Sequence, residues 1–227
     1  MNLSMPVGEL HFDQDYRETA LLRDGHPVTL RALRASDKEL LRHGFERLSP
    51  TSRYRRFLAP KSKLSDAELT YLTELDGLNH FAIAAVATDS DGLEDGLGVA
   101  RFVRSKVDAH VAEAAITVID DWQNKGLGTL LLLRLVAAAR ERGIERFESS
   151  ALADNSALRD VLTPLGPAVS LRRARDELVV AVELPALPYD AVLDARVRAA
   201  PHHRILSLAA RSAAGNEAFL DEKSRPS

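Results

Sequence analysis

A segment near the middle of the chain combines residue types that suit an anion-binding site. Residues 111–119 are mostly apolar, with Glu113 as their only charged side chain, and a glycine loop and a leucine-rich stretch follow. The first N–H groups of a helix lack intrahelical partners, and the helix dipole favours negative charge there. Because Gly126 and Gly128 carry no Cβ, a phosphate group can approach the backbone closely at this loop.

The spacing in this loop excludes two common phosphate-binding motifs. A Walker loop requires Lys-Ser/Thr directly after its second glycine, whereas Leu127 follows Gly126. A dinucleotide-binding fingerprint requires G-x-G-x-x-G, and Leu131 stands where its third glycine belongs. The pattern that remains is Q-x-x-G-x-G after a strand, and its ordinary alternative is a strand–turn–helix connection with glycines for tight packing.

This pattern resembles the coenzyme A loop of the GNAT superfamily of N-acetyltransferases, and residues 112–118 resemble the fourth strand of that superfamily. The resemblance implies an α+β fold, with a mixed central sheet whose strands splay apart and are flanked by helices. It implies acetyl-CoA as co-substrate, with pantetheine bound by the backbones of Ile116 and Val118 beside a strand bulge. The remaining coenzyme contacts that it implies are Gln123, Asn124, Lys125, Gly126, Leu127, Gly128, Thr129 and Asn155.

Glu113 is the candidate general base for transfer of the acetyl group to an amine. It precedes Gln123 by ten residues, the spacing seen in acetyltransferases of protein lysines. Partial burial raises the pKa of a carboxylate toward neutrality, which suits removal of a proton. The ordinary alternatives are a solvent-facing glutamate or an ion pair with Arg101. For Lys125 and Asn155 the alternatives are a solvated loop lysine and a plain helix N-cap.

The resemblance leaves the general acid unassigned. Many members of the superfamily carry a tyrosine in the helix after the asparagine, where it protonates the leaving thiolate. Residues 158–163 of this chain contain no tyrosine, and Pro167 follows Gly166 where an aromatic residue is usual.

A second resemblance concerns the acceptor. Residues 48–57 are similar to the L-S-x-x-S-x-Y-x-R-F stretch of bacterial protein lysine acetyltransferases that modify acyl-CoA synthetases. This similarity favours a protein lysine acceptor, with an acyl-CoA synthetase as a candidate. Tyr54 and Phe57 are expected in the core, and the neighbouring arginines either meet an acidic partner or form a solvated face. The alternatives are a small-molecule amine acetyltransferase, for an antibiotic or a metabolite, and a non-catalytic acyl-CoA sensor.

Composition limits the other classes of function. The chain of 227 residues has a net charge of −3 and a pI of about 6.2, so we expect no nucleic-acid partner. It contains no cysteine, which excludes disulfides, a catalytic thiol and a thiolate zinc site. The seven histidines are dispersed, and we expect no metal site. Without an apolar leader or spanning segment, we expect a cytoplasmic protein with no membrane partner.

The predicted organisation has three parts. Residues 1–24 are expected to form a flexible arm, residues 25–185 the acetyltransferase domain, and residues 186–227 a helical extension with a disordered end. Capping boxes are predicted at residues 36–39 and 65–68, each opening a helix. The predicted strands are residues 27–33, 81–87, 97–103, 111–119 and 144–152, followed by a hairpin of residues 168–171 and 177–184.

Overall fold

The computed structural model describes residues 10–152, 169–174 and 177–185. The strands are β1 (Arg17–Leu21), β2 (Pro27–Ala32), β3 (His80–Thr88), β4 (Glu94–Arg104), β5 (Val111–Val118), β6 (Arg146–Leu152), β7 (Val169–Ala174) and β8 (Glu177–Glu183). The α-helices are α1 (Lys38–Glu46), α2 (Pro50–Phe57), α3 (Asp66–Thr73) and α4 (Leu127–Glu141). Two 3-10 turns, Ala35–Asp37 and Asp120–Trp122, precede α1 and α4.

The eight strands form one mixed sheet in the order β1-β2-β3-β4-β5-β6-β8-β7. Strands β5 and β6 are parallel, and every other neighbouring pair is antiparallel. Helix α4 is the crossover between the parallel strands, as such a connection requires. A mixed sheet flanked by helices confirms the predicted α+β fold class.

The two faces of the sheet are covered by different helices. Helix α4 packs against β3, β4 and β5, and residues 127–136 of this helix are buried. The apolar sequence of α4 accounts for this burial, because a helix that is hydrophobic all round belongs inside a core. A second cluster on the sheet contains Ala82 and Ala84 of β3, with Leu40 and Leu41 of α1 packed against it.

Residues 10–24 do not form the flexible arm that we predicted. Phe12 and Tyr16 are buried, and β1 pairs along its length with β2. Glu18 of β1 accepts a hydrogen bond of 2.8 Å from the guanidinium of the buried Arg134. Because β1 (RETAL) lacks a clear alternation of apolar residues, its pairing depends on contacts with distant parts of the chain.

One of the two predicted capping boxes is wrong. The carboxylate of Asp37 accepts the backbone N–H of Arg34 and the guanidinium of Arg31, and residues 35–37 form a 3-10 turn before α1. The second box is confirmed, since Ser65 and Glu68 each accept the backbone N–H of the other. The first box fails because the buried Arg31 orients Asp37 away from the helix.

The remaining strand predictions agree with the structure to within a few residues. The hairpin over residues 168–184 appears as β7 and β8, which are antiparallel. Asn155 and residues 186–227 lie outside the described residues. Within the described part of the chain, no helix has the length and apolar character needed to cross a bilayer.

Candidate functional site

Strands β5 and β6 pair over only two residues and then separate. The parallel pairs are Val111 with Arg146 and Ala112 with Phe147. Beyond them the hydroxyl of Ser149 on β6 accepts from the N–H of Ala114 at 3.2 Å and donates to its carbonyl at 2.9 Å. The Ser149 side chain therefore takes the place of backbone-to-backbone hydrogen bonds where the gap between β5 and β6 begins.

The backbones of Ile116 and Val118 face this gap. Backbone groups in a strand point alternately to its two edges, and Ala114 points toward β6 through Ser149. Ile116 and Val118 follow at spacings of two, while their side chains, each 1% exposed, lie in the core. The predicted bulge is absent from the pairing of β5 with β4, whose register is continuous across all seven pairs, so the splay arises at the parallel edge.

The glycine loop directs the chain from β5 into α4. Asn124 (φ 66°) and Gly126 (φ 87°) both adopt positive φ, which brings the loop tightly to the start of the helix. The first helical bond runs from the N–H of Leu130 to the carbonyl of Gly126 at 3.0 Å. The N–H groups of Leu127, Gly128 and Thr129 precede that bond and form the N-terminal turn of α4. The loop thus has the backbone geometry of an anion site.

Two polar side chains of the loop make contacts within the protein. The Gln123 amide donates to the carbonyl of Val118 at 3.0 Å and to the carboxylate of Asp120 at 3.3 Å, which ties the loop to the end of β5. The ammonium of Lys125 lies 2.9 Å from the carboxylate of Asp24 and 5.2 Å from the ring centre of Trp122. Lys125 is therefore partly exposed, and its ammonium group is paired with Asp24 instead of being only solvated.

The turn between β1 and β2 packs against this loop, and the sequence pattern did not indicate this contact. The hydrogen bond from Lys125 lowers the pKa of the Asp24 carboxyl. His26 contacts both the Asp24 carboxylate and the Trp122 ring. The side chain of Arg23 lies so close to Gly126 that a Cβ there would be 3.3 Å from its Nε. No sequence signal links segments about a hundred residues apart.

Glu113 lies on the face of β5 opposite the α4 core. It is partly buried, and its cross-strand partner is Val103. Side chains alternate along a strand, so Glu113 shares its face with Ala115 and Thr117. On α2, burial lowers the pKa of Arg56 to about 10, and the charge of the Glu113 carboxylate opposes this shift.

Arg101 lies on the same face and does not pair with Glu113. Its guanidinium donates to the carbonyl of Leu72 at 2.7 Å and lies 3.1 Å from Nε2 of His80. Burial, aided by the charge of Arg101, lowers the pKa of His80 to about 4. Because a guanidinium has only donors, the neutral His80 accepts through Nε2, and this ring also packs on Tyr71.

Helix α2 presents its residues differently from the sequence expectation. Ser52 and Arg56, four residues apart, face inward and are buried, whereas Tyr54 on the other side is 43% exposed. Phe57 is half-buried against Phe45. The expectation of a core Tyr54 is therefore wrong. Of the two alternatives for the arginines, a solvated face does not hold for Arg56, because the helical period places it toward the sheet.

The described residues contain no cluster suited to a metal ion. No group of three or more His, Cys, Asp or Glu side chains with suitable geometry occurs among them.

The gap in the sheet, the glycine loop and the helix N-terminus lie next to one another along the chain, and their geometry suits an extended ligand that carries phosphate groups. The sequence model of the family described as "Acetyltransferase (GNAT) domain" matches residues 28–167. The chain therefore belongs to the GNAT acetyltransferase family.

Relatives with known names and structures lie in the same family. The chain is 36% identical over 171 residues to Acetyltransferase Pat of Mycolicibacterium smegmatis, covering 75% of this chain and 49% of that protein. It is 34% identical over 145 residues to Acetyltransferase PA5475 of Pseudomonas aeruginosa, covering 64% of this chain and 77% of that protein. The GNAT domain of S. lividans PAT superposes with a TM-score of 0.67 at 29% identity, covering 74% and 97% of the two chains. The chain thus spans about half the length of the M. smegmatis protein.

Proposed function

We propose that this protein transfers an acetyl group from acetyl-CoA to the amine of a protein lysine, with Glu113 as the general base. The observation that carries the proposal is the gap between β5 and β6, which leads to the N-terminus of α4. Pantetheine in this gap would bind the backbones of Ile116 and Val118 as an additional strand. The pyrophosphate would bind at residues 123–129, and Asn155 would add a contact from outside the described residues.

The reaction needs no covalent enzyme intermediate. The amine nitrogen attacks the thioester carbonyl carbon, the C–N bond forms, and the C–S bond breaks to release the coenzyme A thiolate. Glu113 takes the proton of the amine directly or through a water molecule, and the thiolate takes a proton from solvent. A free lysine has a pKa near 10.4, so proton removal is a major part of the barrier at neutral pH.

The choice of acceptor rests on the relatives. Their names describe acetyltransferases, and the similarity of residues 48–57 to protein lysine acetyltransferases supports a protein acceptor. An acyl-CoA synthetase is the first acceptor to test. A small-molecule amine is the alternative outcome of the same experiment, since one fold serves both classes of acceptor.

The general base is tested by Glu113→Gln, which keeps the size of the side chain and removes its basicity. We expect kcat to fall by about 10²–10⁴-fold while the affinity for acetyl-CoA is unchanged. The loss should shrink as the pH approaches the pKa of the acceptor amine, because solvent then supplies the free amine. Mass spectrometry of candidate synthetases and lysine peptides measures the rates.

Glu145→Gln is the matched control, since Glu145 is an exposed glutamate outside the site. It should acetylate at the wild-type rate. Transfer by Glu113→Gln at the wild-type rate from pH 6 to 9 would show that Glu113 is structural. Acetyl-CoA binding without transfer to any amine would favour the sensor alternative.

A further inference from the structure

A cavity of about 70 Å³ lies between helices α1 and α2 and strands β4 and β5. Its walls are mostly apolar, with side chains such as Leu41 and Phe45 on the helices. The polar side chains in its lining are Arg56, Arg101 and Thr117, which are 6%, 2% and 8% exposed. By the space that one water needs, the cavity has room for roughly five waters or a short aliphatic chain.

Neither buried arginine has a carboxylate of a described residue within 4 Å, although the charge of Glu113 acts on Arg56 from a greater distance. None of the ion pairs within 4 Å among the described residues includes Arg56 or Arg101. The hydrogen-bond partners of Arg101 are the uncharged His80 and the Leu72 carbonyl. Burial lowers the pKa of Arg101, and the charge of Arg56 lowers it further. Buried cations that repel each other are costly unless an anion joins them, and Glu113 offsets only part of this cost, at Arg56.

The hydroxyl of Thr117 supplies the second, independent observation. Its Oγ1 is buried and has no hydrogen-bond partner within the described part of the chain. An unsatisfied buried hydroxyl costs free energy, and such groups in native proteins usually have a ligand or a functional reason. Two guanidiniums and a hydroxyl in one apolar cavity complement a carboxylate on an aliphatic chain, since a carboxylate can accept charge-assisted hydrogen bonds from such donors.

We propose that this cavity binds a substrate carboxylate carried on a short aliphatic chain. The role in catalysis rests on the proposed function, because the cavity lies on the face of β5 that carries Glu113. The carboxylate can come from two sources. It can end a dicarboxylic acyl group on coenzyme A, which would make the protein a transferase of acidic acyl groups. It can also belong to an acidic side chain beside the acceptor lysine, which would select the acceptor.

The charge requirement is tested with the free protein and butyrate, with butyramide as the uncharged probe of the same size. NMR titration at constant ionic strength should show saturable binding of butyrate and much weaker binding of butyramide. Arg56→Gln should weaken butyrate binding by about ten- to a hundredfold. Arg55→Gln, on the same helix and not in the cavity lining, is the control and should bind as the wild type does.

Thr117→Val tests the hydroxyl through two changes of opposite sign. Removing an unsatisfied buried hydroxyl should raise the Tm of the free protein, whereas butyrate binding should weaken. A merely structural threonine would not give both changes. Equal binding of butyrate and butyramide, or unchanged butyrate binding in Arg56→Gln, would overturn the proposal.

Two pairs of substrates distinguish the two possible sources of the carboxylate, the acyl group on coenzyme A and the acidic side chain of the acceptor. Succinyl-CoA is compared with butyryl-CoA as donor, and peptides with Glu or Gln beside the lysine are compared as acceptors of acetyl groups. If the wild type prefers the charged substrate of one pair and Arg56→Gln loses that preference, that pair identifies the source of the carboxylate. If the wild type shows no preference in either pair, the proposal that the cavity binds a substrate carboxylate is overturned. If no acyl-CoA reacts at all, the proposed function fails, while the butyrate titration still decides whether the cavity binds a carboxylate.

Discussion

Gly126 meets two constraints at the residue scale. Its φ of +87° lies in the left-handed region, and Arg23 covers the position where a Cβ would stand. A side chain there would strain the backbone by roughly 1–2 kcal/mol and push on Arg23. The loop geometry that leaves the first N–H groups of α4 outside the helical bonds therefore depends on this glycine.

We expect Gly126→Ala to weaken acetyl-CoA binding by about tenfold or more, because a strain of this size shifts the loop away from its binding conformation. Calorimetry with acetyl-CoA measures the change. Gly92→Ala is the matched control, since Gly92 also has positive φ (+80°) but stands in open space in the turn before β4. Equal affinities of the two variants would show that the loop does not bind the coenzyme.

At the element scale, one buried arginine joins β2, the turn before α1 and β4. Arg31, 2% exposed, donates to both oxygens of Asp37 at 2.8 and 2.9 Å and to Glu94 at 2.8 and 2.6 Å. Arg17 of β1 adds a contact of 3.1 Å to Glu94. The network fixes how α1 lies against the sheet, and α1 forms a wall of the cavity.

Arg31→Met should therefore lower the free energy of unfolding by about 3–5 kcal/mol, because it leaves the buried Asp37 without a cation and Glu94 with only the half-exposed Arg17. Denaturant unfolding measures this loss. Arg17→Met is the control, and its half-exposed side chain should contribute about 1 kcal/mol or less. A loss for Arg31→Met no larger than that of the control would contradict the role of the network.

The same network predicts a pH dependence. Partial burial favours the neutral carboxyl of Glu94, but the hydrogen bonds and charge of Arg31 outweigh it and lower the pKa of Glu94. The stabilisation is therefore fully present above the unfolded-state pKa of about 4.3 and is lost as the pH falls through the lowered pKa. The difference in unfolding free energy between the wild type and Arg31→Met should shrink over that range.

At the scale of the whole molecule, the described sheet ends at β7 and β8, and the matched family region ends at residue 167. The prolines Pro185 and Pro188 stand between this sheet and the rest of the sequence. We expect a chain truncated after Leu187 to fold cooperatively and to bind acetyl-CoA with the affinity of the full chain. Thermal unfolding and calorimetry measure both properties, and loss of a cooperative transition would show that residues 188–227 belong to the core.

Much of the fold could be predicted because local patterns agree with it. The sequence predicts a strand, a loop and a buried helix in this order, from the apolar run of β5, the glycines after it and the leucines of α4. The confirmed capping box at Ser65 and Glu68 depends on atoms three residues apart, so local sequence suffices. β1 could not be predicted, because its stability comes from β2 and Arg134 rather than from its own pattern.

The sequence by itself determined the family, the glycine loop and the position of Glu113 in an apolar strand, since these depend on residue types at short spacings. Only the tertiary structure decided that Arg23 and Asp24 pack on the loop, and that Arg56, Arg101 and Thr117 share one cavity. These residues come from separate elements, and each looks like a surface or strand residue in its own segment. Burial and electrostatic coupling arise only when the helices cover the sheet, so no pattern along the chain can reveal them.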